Sequence, residues 1–194
     1  MANSMIDSFK TQLQSGGVRS NQFRVDITLP PIVAGGNAAK EKIQYLCSAT
    51  TLPKQTIGTT EVPFRGRKLQ IAGDTRTFEP WDITVLNDDF SVYNTFEDWQ
   101  NLINDVMSNK TLSAVDSYKA EAEIHQLNRD GNSIKQITLH GCFPSDIAAI
   151  DLSMDTDDEV QTFDVTLTYD YFTTPNQAYS DWNGIAGGGA AGVQ

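Results

Sequence analysis

The chain has 194 residues, 39% of them hydrophobic and 9% aromatic, which is ordinary for a folded protein and enough for one domain with a real core. Its 25 acidic residues against 14 basic ones give a net charge of -11, a surface that repels phosphate backbones and argues against ordinary nucleic-acid binding. Two distant cysteines, Cys47 and Cys142, imply neither a disulfide framework nor a metal knuckle and read as buried small apolar residues in a reducing compartment.

The N-terminal MANSMIDSFKTQLQ lacks a basic start followed by an apolar run, so it does not read as a signal peptide. Nor does any window approach the ~18 apolar residues of a membrane span. The expectation is a soluble chain made in a cytoplasm. From Ser4 to Leu13 a short helix is expected, since Ser4 and Asp7 have capping-box spacing and Ile6, Phe9 and Leu13 share one face. Two or three turns are not stable alone, so this arm must dock somewhere. Residues 1–20 form this arm, 21–174 the β-domain, and 175–194 a tail whose Gly/Ala-rich end, Gly187 to Gly192, cannot pack and is expected to be flexible.

Gln22 to Leu29 alternates cleanly and reads as a half-buried strand stopped by Pro30-Pro31. The segment to Lys42 reads as a surface loop, and Ile43 to Thr50 as the partner strand. Next comes a long hairpin, extended from Gln55 to Phe64, turning over Arg65-Gly66-Arg67, returning to Ala72 and breaking at Gly73-Asp74. It carries too few apolar residues to make a core, and isolated two-stranded hairpins are marginal in water. It is also basic, with Lys54, Arg65, Arg67 and Lys68 against Glu61 alone. Such a part is expected to finish its hydrogen bonding on another subunit.

Phe78 to Leu86 is the next strand. After it, Phe90, Tyr93, Phe96, Trp99, Ile103 and Val106 recur at helical spacing and predict a helix from Phe90 to Met107, started by Asp89 or Thr95. The aromatic stripe reads as a core face lying across a sheet rather than a cofactor site. Tyr118 to Leu127 and Ser133 to Leu139 form a hairpin over Asp130-Gly131. Gly141 to Pro144 breaks that run, and Val160 to Phe172 gives the strongest strand signal. The total is a mainly β, α+β chain: an antiparallel β-sandwich or barrel with one flanking helix and a projecting hairpin.

No catalytic constellation rises above background. His125 and His140 lie in expected strands without ligand spacing, and no nucleophile elbow, phosphate loop or dinucleotide fingerprint is present. The acidic run Asp151, Asp155, Asp157, Asp158, Glu159 lacks the central Gly and final Glu of an EF-hand. Charge is unevenly spread: Thr77 to Asn109 has no Lys or Arg, and none follows Lys135. This is either a solvated acidic surface or a field that docks the basic hairpin or keeps a polyanion from sticking.

The runs SGGVRSNQFRVDI, LCSATTLPKQTIGTTEVPFRGRKLQIAGDTRTFEPWDITVLNDD, FEDWQ and GCFPSDIAAIDLSMDTDDEVQTFDVTLTYDYF resemble the tail tube proteins of contractile-tailed bacteriophages, from about Ser15 to Phe172. The most specific pieces are Gly66-Arg67-Lys68, Ala72-Gly73-Asp74, the Trp81 strand before Asn87-Asp88, and Gln161-Thr162-Phe163-Asp164-Val165. The resemblance implies a fold shared with the type VI secretion tube protein, and a subunit of hexameric rings stacked into a hollow tube. DNA would pass through the lumen without specific binding. It implies further that Gln55 to Ala72 bridges subunits, with Ile57, Val62, Phe64, Leu69 and Ile71 as apolar contacts and Arg65, Arg67 and Lys68 supplying charge. The implied partners are further copies of itself, a sheath, a baseplate and a tail terminator; no cofactor, metal, membrane or catalysis is implied. The implied location is the virion tail, assembled in the host cytoplasm. Two other readings stand beside it: a baseplate initiator or secretion-system tube subunit of the same fold, and a monomeric ligand-binding β-barrel lidded by the aromatic helix.

Overall fold

The computed structural model describes residues 2–13, 17–154 and 160–175. The acidic run from Asp155 to Glu159 and nearly all of the expected flexible tail, residues 176–194, lie outside the described residues. The elements are α1 (Ala2–Gln12), β1 (Phe23–Thr28), α2 (Gly36–Leu46), β2 (Cys47–Thr50), β3 (Gln55–Phe64) and β4 (Arg67–Phe78). There follow β5 (Trp81–Leu86), α3 (Ser91–Ile103), α4 (Val115–Tyr118), β6 (Ala120–Leu127), β7 (Ser133–Ile147), β8 (Thr162–Thr168) and β9 (Tyr171–Thr173). Every strand pairing among them is antiparallel.

The two layers of the sandwich are joined by one strand. The first half of β7 pairs β6 and β9, and β6 pairs β1. Its second half, from Phe143, pairs β8, which leads to β5 and then β2. The corner between the halves is Gly141, at φ +70°. Any side chain there would meet the Asp170 carboxylate, which is itself held by Lys119 at 2.5 Å. Sequence alternation treated Gly141 to Pro144 as a strand break. The structure corrects this: the glycine bends β7 without ending it, as is usual where a strand changes sheets. Conversely, the expected strand from Val160 to Phe172 divides at Tyr169-Asp170 into β8 and β9, one serving each layer.

Alternate residues of the two layers meet in one core. Val25, Ile27, Ile83, Val85, Ile124, Leu139, Val165 and Leu167 are buried in it together with Trp81, Phe96 and Trp99. Helix α3 contributes Val92, Thr95, Phe96 and Trp99, and the indole of Trp99 donates to the Tyr118 carbonyl at 2.8 Å. The helix is shorter than expected. Phe90 takes a left-handed backbone (φ +60°) ahead of it, the Asp89 carboxylate accepts the Ser91 N–H, and Val106 lies beyond its end and is exposed. Thr95 does not cap; its hydroxyl bonds back to the Ser91 carbonyl inside the helix.

The largest correction is α2. Residues expected to be loop and then strand form a helix whose buried Ala39 and Ile43 stand four apart. Asn37 to Leu46 is rich in good helix formers, Ala, Lys, Glu, Gln and Leu. The alternation Ile43, Tyr45, Cys47, Ala49 was coincidental, and Tyr45 points outward. Only Cys47–Thr50 is strand, and it pairs β5 rather than β1. Lys42 ties this helix to the start of α3, reaching Asp89 at 2.7 Å and the Ser91 hydroxyl at 2.9 Å.

Candidate functional site

The strands β3 and β4 form a sheet of their own, paired from Gln55–Phe78 to Phe64–Arg67 and to no other strand among the described residues. The hairpin does not break at Gly73-Asp74 as the sequence suggested. Instead β4 carries a bulge there opposite Gly58, and Gly73 lies so close to the Gly58 carbonyl that a Cβ would sit 3.0 Å from it. A bulge with two glycines bends the arm without ending its ladder. The tip is a two-residue turn with positive φ at both Arg65 (+45°) and Gly66 (+81°), the twist-matched geometry for a tight hairpin. Counting outward from this turn, Pro63 and Lys68 form a non-hydrogen-bonded pair, so the missing proline N–H costs the ladder nothing.

Register sorts the arm's side chains into two faces. Cross-strand partners share a face, so Val62 with Leu69, Thr60 with Ile71, and Phe64 with Arg67 lie together. The four large apolar residues of this face are 40% (Val62), 59% (Phe64), 51% (Leu69) and 52% (Ile71) exposed. The opposite face is polar. Lys68 and Gln70 hold Glu61 at 2.8 and 2.7 Å, which keeps the Glu61 carboxyl below its usual range, the Lys68 bond being the larger cause. Strand alternation places Ile57, beyond the bulge, on this second side. Of the cations expected to reach a neighbour, Lys68 is therefore already engaged within the arm. Arg65 lies over the Phe64 ring, 5.4 Å from its centroid. Among the described residues, neither Arg65 nor Arg67 has a carboxylate partner.

The base of the arm is rigidly held, which sequence reasoning missed because Trp81 looked like a core residue only. Its indole N–H is shared between the Thr50 hydroxyl at 2.8 Å and the Thr51 carbonyl at 2.9 Å. Lys54 pairs with Glu79 at 2.6 Å, and Phe78 packs edge-on against Phe172 and obliquely against Tyr169. A tryptophan a few residues after a long hairpin, with threonines just before it, was the available signal.

A second feature lies on the solvent face of the β7–β8–β5–β2 layer. Asp82 sits opposite Thr166, and Thr84 opposite Asp164. Thr166 donates to Asp82 and Thr84 to Asp164, each at 2.6 Å. Asp146 joins the same face opposite Thr166. The described strands place no Lys or Arg on this face, and the sequence has none from Thr77 to Asn109 or after Lys135. Among the described residues, no group of three or more His, Cys, Asp or Glu has metal-binding geometry. Burial pushes the Cys142 thiol up to about 12 and the Cys47 thiol up to about 11, so neither is an activated nucleophile at neutral pH.

A family model described as phage tail tube protein matches residues 18–175. The chain belongs to that family. It is 32% identical over 170 residues to the tail tube protein gp19 of Enterobacteria phage T4, covering 86% of this tube protein and 98% of that one. It is 30% identical over 167 residues to the tail tube protein of Serratia phage KSP90, covering 84% and 93%. Among solved structures, a chain of the anti-feeding prophage baseplate superposes with a TM-score of 0.59 at 14% identity, covering 81% of this tube protein and 95% of that chain. A chain of the sheath–tube complex of an extracellular contractile injection system gives 0.55 at 14% identity, over 84% and 95%. These two likenesses establish the shared fold. The fold class expected from alternation is therefore the one found, with α2 as a second flanking helix.

Proposed function

We propose that this tube protein closes into hexameric rings that stack into a hollow conduit, and that its role is structural rather than catalytic. The observation that carries the reading is the arm: a two-stranded sheet with one exposed apolar face, held firmly at its base and unfinished at its tip. Exposed apolar surface of this kind marks an interaction site, and a repeated heterologous contact between copies builds a ring or a filament. The two superposing structures come from a baseplate and from a sheath–tube complex, so a sheath and a baseplate are the natural partners beyond the tube itself. The tube would stand in the virion tail after assembly in the host cytoplasm.

The aspartate–threonine face supports a lumen role for the β7–β8–β5–β2 layer. Asp82, Asp146 and Asp164 present charge that phosphate backbones avoid, and the threonines satisfy the carboxylates locally. DNA would slide past such a wall without finding a binding site. The deciding experiment for the assembly reading deletes Gln55 to Ala72 and inspects purified protein by electron microscopy and circular dichroism. Loss of tubes with retained β-signal supports the role given to the arm. Tubes of normal form without it would overturn that role.

A further inference from the structure

The turn between β6 and β7 carries the one Asp–Gly step in the chain, Asp130-Gly131, and both residues are exposed. Such a step has a chemistry of its own that needs no enzyme. The Gly131 nitrogen can attack the side-chain carboxyl carbon of Asp130, forming a C–N bond and expelling one water to close a succinimide ring. Water then adds back at either ring carbonyl. Opening on one side restores the aspartyl bond. Opening on the other routes the backbone through the β-carbon and leaves an isoaspartyl residue of unchanged mass. Glycine hinders the attack least, having no side chain, and no neighbouring atom lies within 4 Å of where a Cβ would stand on Gly131.

The fold works against that attack, and one side chain organises the defence. The Asn128 side-chain carbonyl accepts from the backbone N–H of Asp130 at 2.9 Å and of Asn132 at 2.8 Å. Its amide group donates to the Asp130 carboxylate at 3.3 Å, engaging the group that would be attacked. The Asn128 N–H donates to the Asn132 carbonyl at 2.8 Å, and the Gly131 N–H donates to the Asn128 carbonyl at 3.1 Å. The attacking nitrogen must shed its proton, and that N–H is already committed as a donor. Ring closure also requires the backbone at Asp130 to rotate, and the Asn128 bonds hold it on both sides, as asparagine does in turns.

We infer that Asp130–Gly131 is a site of slow backbone isomerisation in this protein, and that Asn128 sets its rate. The inference is independent of how copies assemble. It bears on function because a subunit built into a tail is not replaced, so slow chemistry on its backbone accumulates. The product has one extra backbone atom in the turn. The closure of Asn128 on Asn132 would be lost, and Ser133 would shift from its pairing with Leu127 and from the His125 ring, now 3.4 Å from its hydroxyl.

The test incubates the full-length chain, native and urea-unfolded, at neutral pH. Digestion after lysine then releases the 120–135 peptide, whose isoaspartyl form is separated by chromatography and verified with isoaspartyl methyltransferase. Deamidation of Asn128 or Asn132 changes the peptide mass and is scored apart. The native chain should isomerise about fivefold or more slowly than the unfolded one, and folded Asn128→Ala should recover most of that difference, as expected for lost hydrogen bonds. Asn128→Asp keeps an acceptor for both N–H groups and should stay within about threefold of the unmodified protein. Asn128→Ser, a weaker acceptor in such turns, should fall between the two and serves where Asn128→Ala does not fold. Gly141→Ala, at the opposite end of the β6–β7 pairing, weakens the fold without touching the turn and should leave the rate unchanged. Four results each overturn the inference: no isomer from the unfolded chain, a native rate equal to the unfolded one, a rate unmoved by removing the Asn128 side chain, or a Gly141→Ala rate as fast as that of the Asn128 variant.

Discussion

The indole N–H of Trp81 donates to the hydroxyl of Thr50 at 2.8 Å, joining the first residue of β5 to the last residue of β2 across the root of the arm. Trp81 is fully buried, so the arm is anchored to the core itself rather than to a surface loop. Trp81→Phe keeps most of the apolar volume but removes the bond to Thr50 and Thr51. A loss of about 1–3 kcal/mol is expected, read by urea unfolding. Tube yield should fall by more than that loss alone explains, because the arm's exit angle is no longer fixed. Wild-type yield from an equally destabilised core variant would be the control.

Gly141 has no room for a side chain, facing Asp170 at a positive φ. Gly141→Ala should cost about 2 kcal/mol or more, combining left-handed strain with displacement of the carboxylate. The ion pair of Asp170 with Lys119 would be disturbed as well, but an exposed pair adds little. A melting temperature unchanged by the substitution would show that the corner of β7 is not under steric control.

Tyr169 is buried beside Phe78 and Phe172, and its hydroxyl has no hydrogen-bond partner among the described residues. Tyr169→Phe should therefore be neutral or stabilising by up to about 1 kcal/mol, since a buried hydroxyl without a partner carries a desolvation penalty. A clear loss of stability would reveal a partner for the hydroxyl in the folded protein.

The two thiols set a limit on stability in alkali. Both are raised by burial from an ordinary value of 9.0, Cys142 to about 12 and Cys47 to about 11. In the unfolded chain they lose protons from about pH 9 upward while the folded protein keeps them, so the unfolded state is favoured as pH rises. Stability is unaffected below about 9 and falls progressively as pH climbs toward 11–12. Replacing both with Ala should flatten the unfolding-versus-pH curve in that window, whatever it does to stability at pH 7. Native protein should also react with thiol reagents far more slowly than urea-unfolded protein at pH 8.

The aspartate–threonine face can be tested by charge reversal. Asp82→Lys, Asp146→Lys and Asp164→Lys together should leave a folded chain, because all three side chains are exposed. If this face lines the lumen as proposed, particles built from it should eject their genome more slowly, because cations there would hold phosphates. Normal ejection kinetics from such particles would remove the β7–β8–β5–β2 layer from the lumen wall.

Much of this protein was legible because its chemistry is local. Period-two alternation identified β1, β5, β6 and β8, the Asp130-Gly131 turn identified the β6–β7 hairpin, and the stripe of Phe96 and Trp99 identified α3. The arm was recognisable from what it lacked: too little apolar area to bury, and more positive charge than the rest of the chain. Local pattern failed at α2, where four alternating residues imitated a strand across a helix–strand boundary. It failed again at Gly141, where a residue that normally ends a strand bends one instead.

The sequence alone determined the element types, the projecting hairpin and the family resemblance, since these depend on neighbouring residues and on motifs. Only the tertiary structure decided which faces those elements present. The β3–β4 register gathered Val62, Phe64, Leu69 and Ile71 on one side of the arm and committed Lys68 to Glu61 on the other. The pairing of β5 with β8 set Asp82 and Asp164 against threonines 80 or more residues away. The reason is physical: a side chain's face follows from the register of its strand, and register is fixed by contacts between residues distant along the chain.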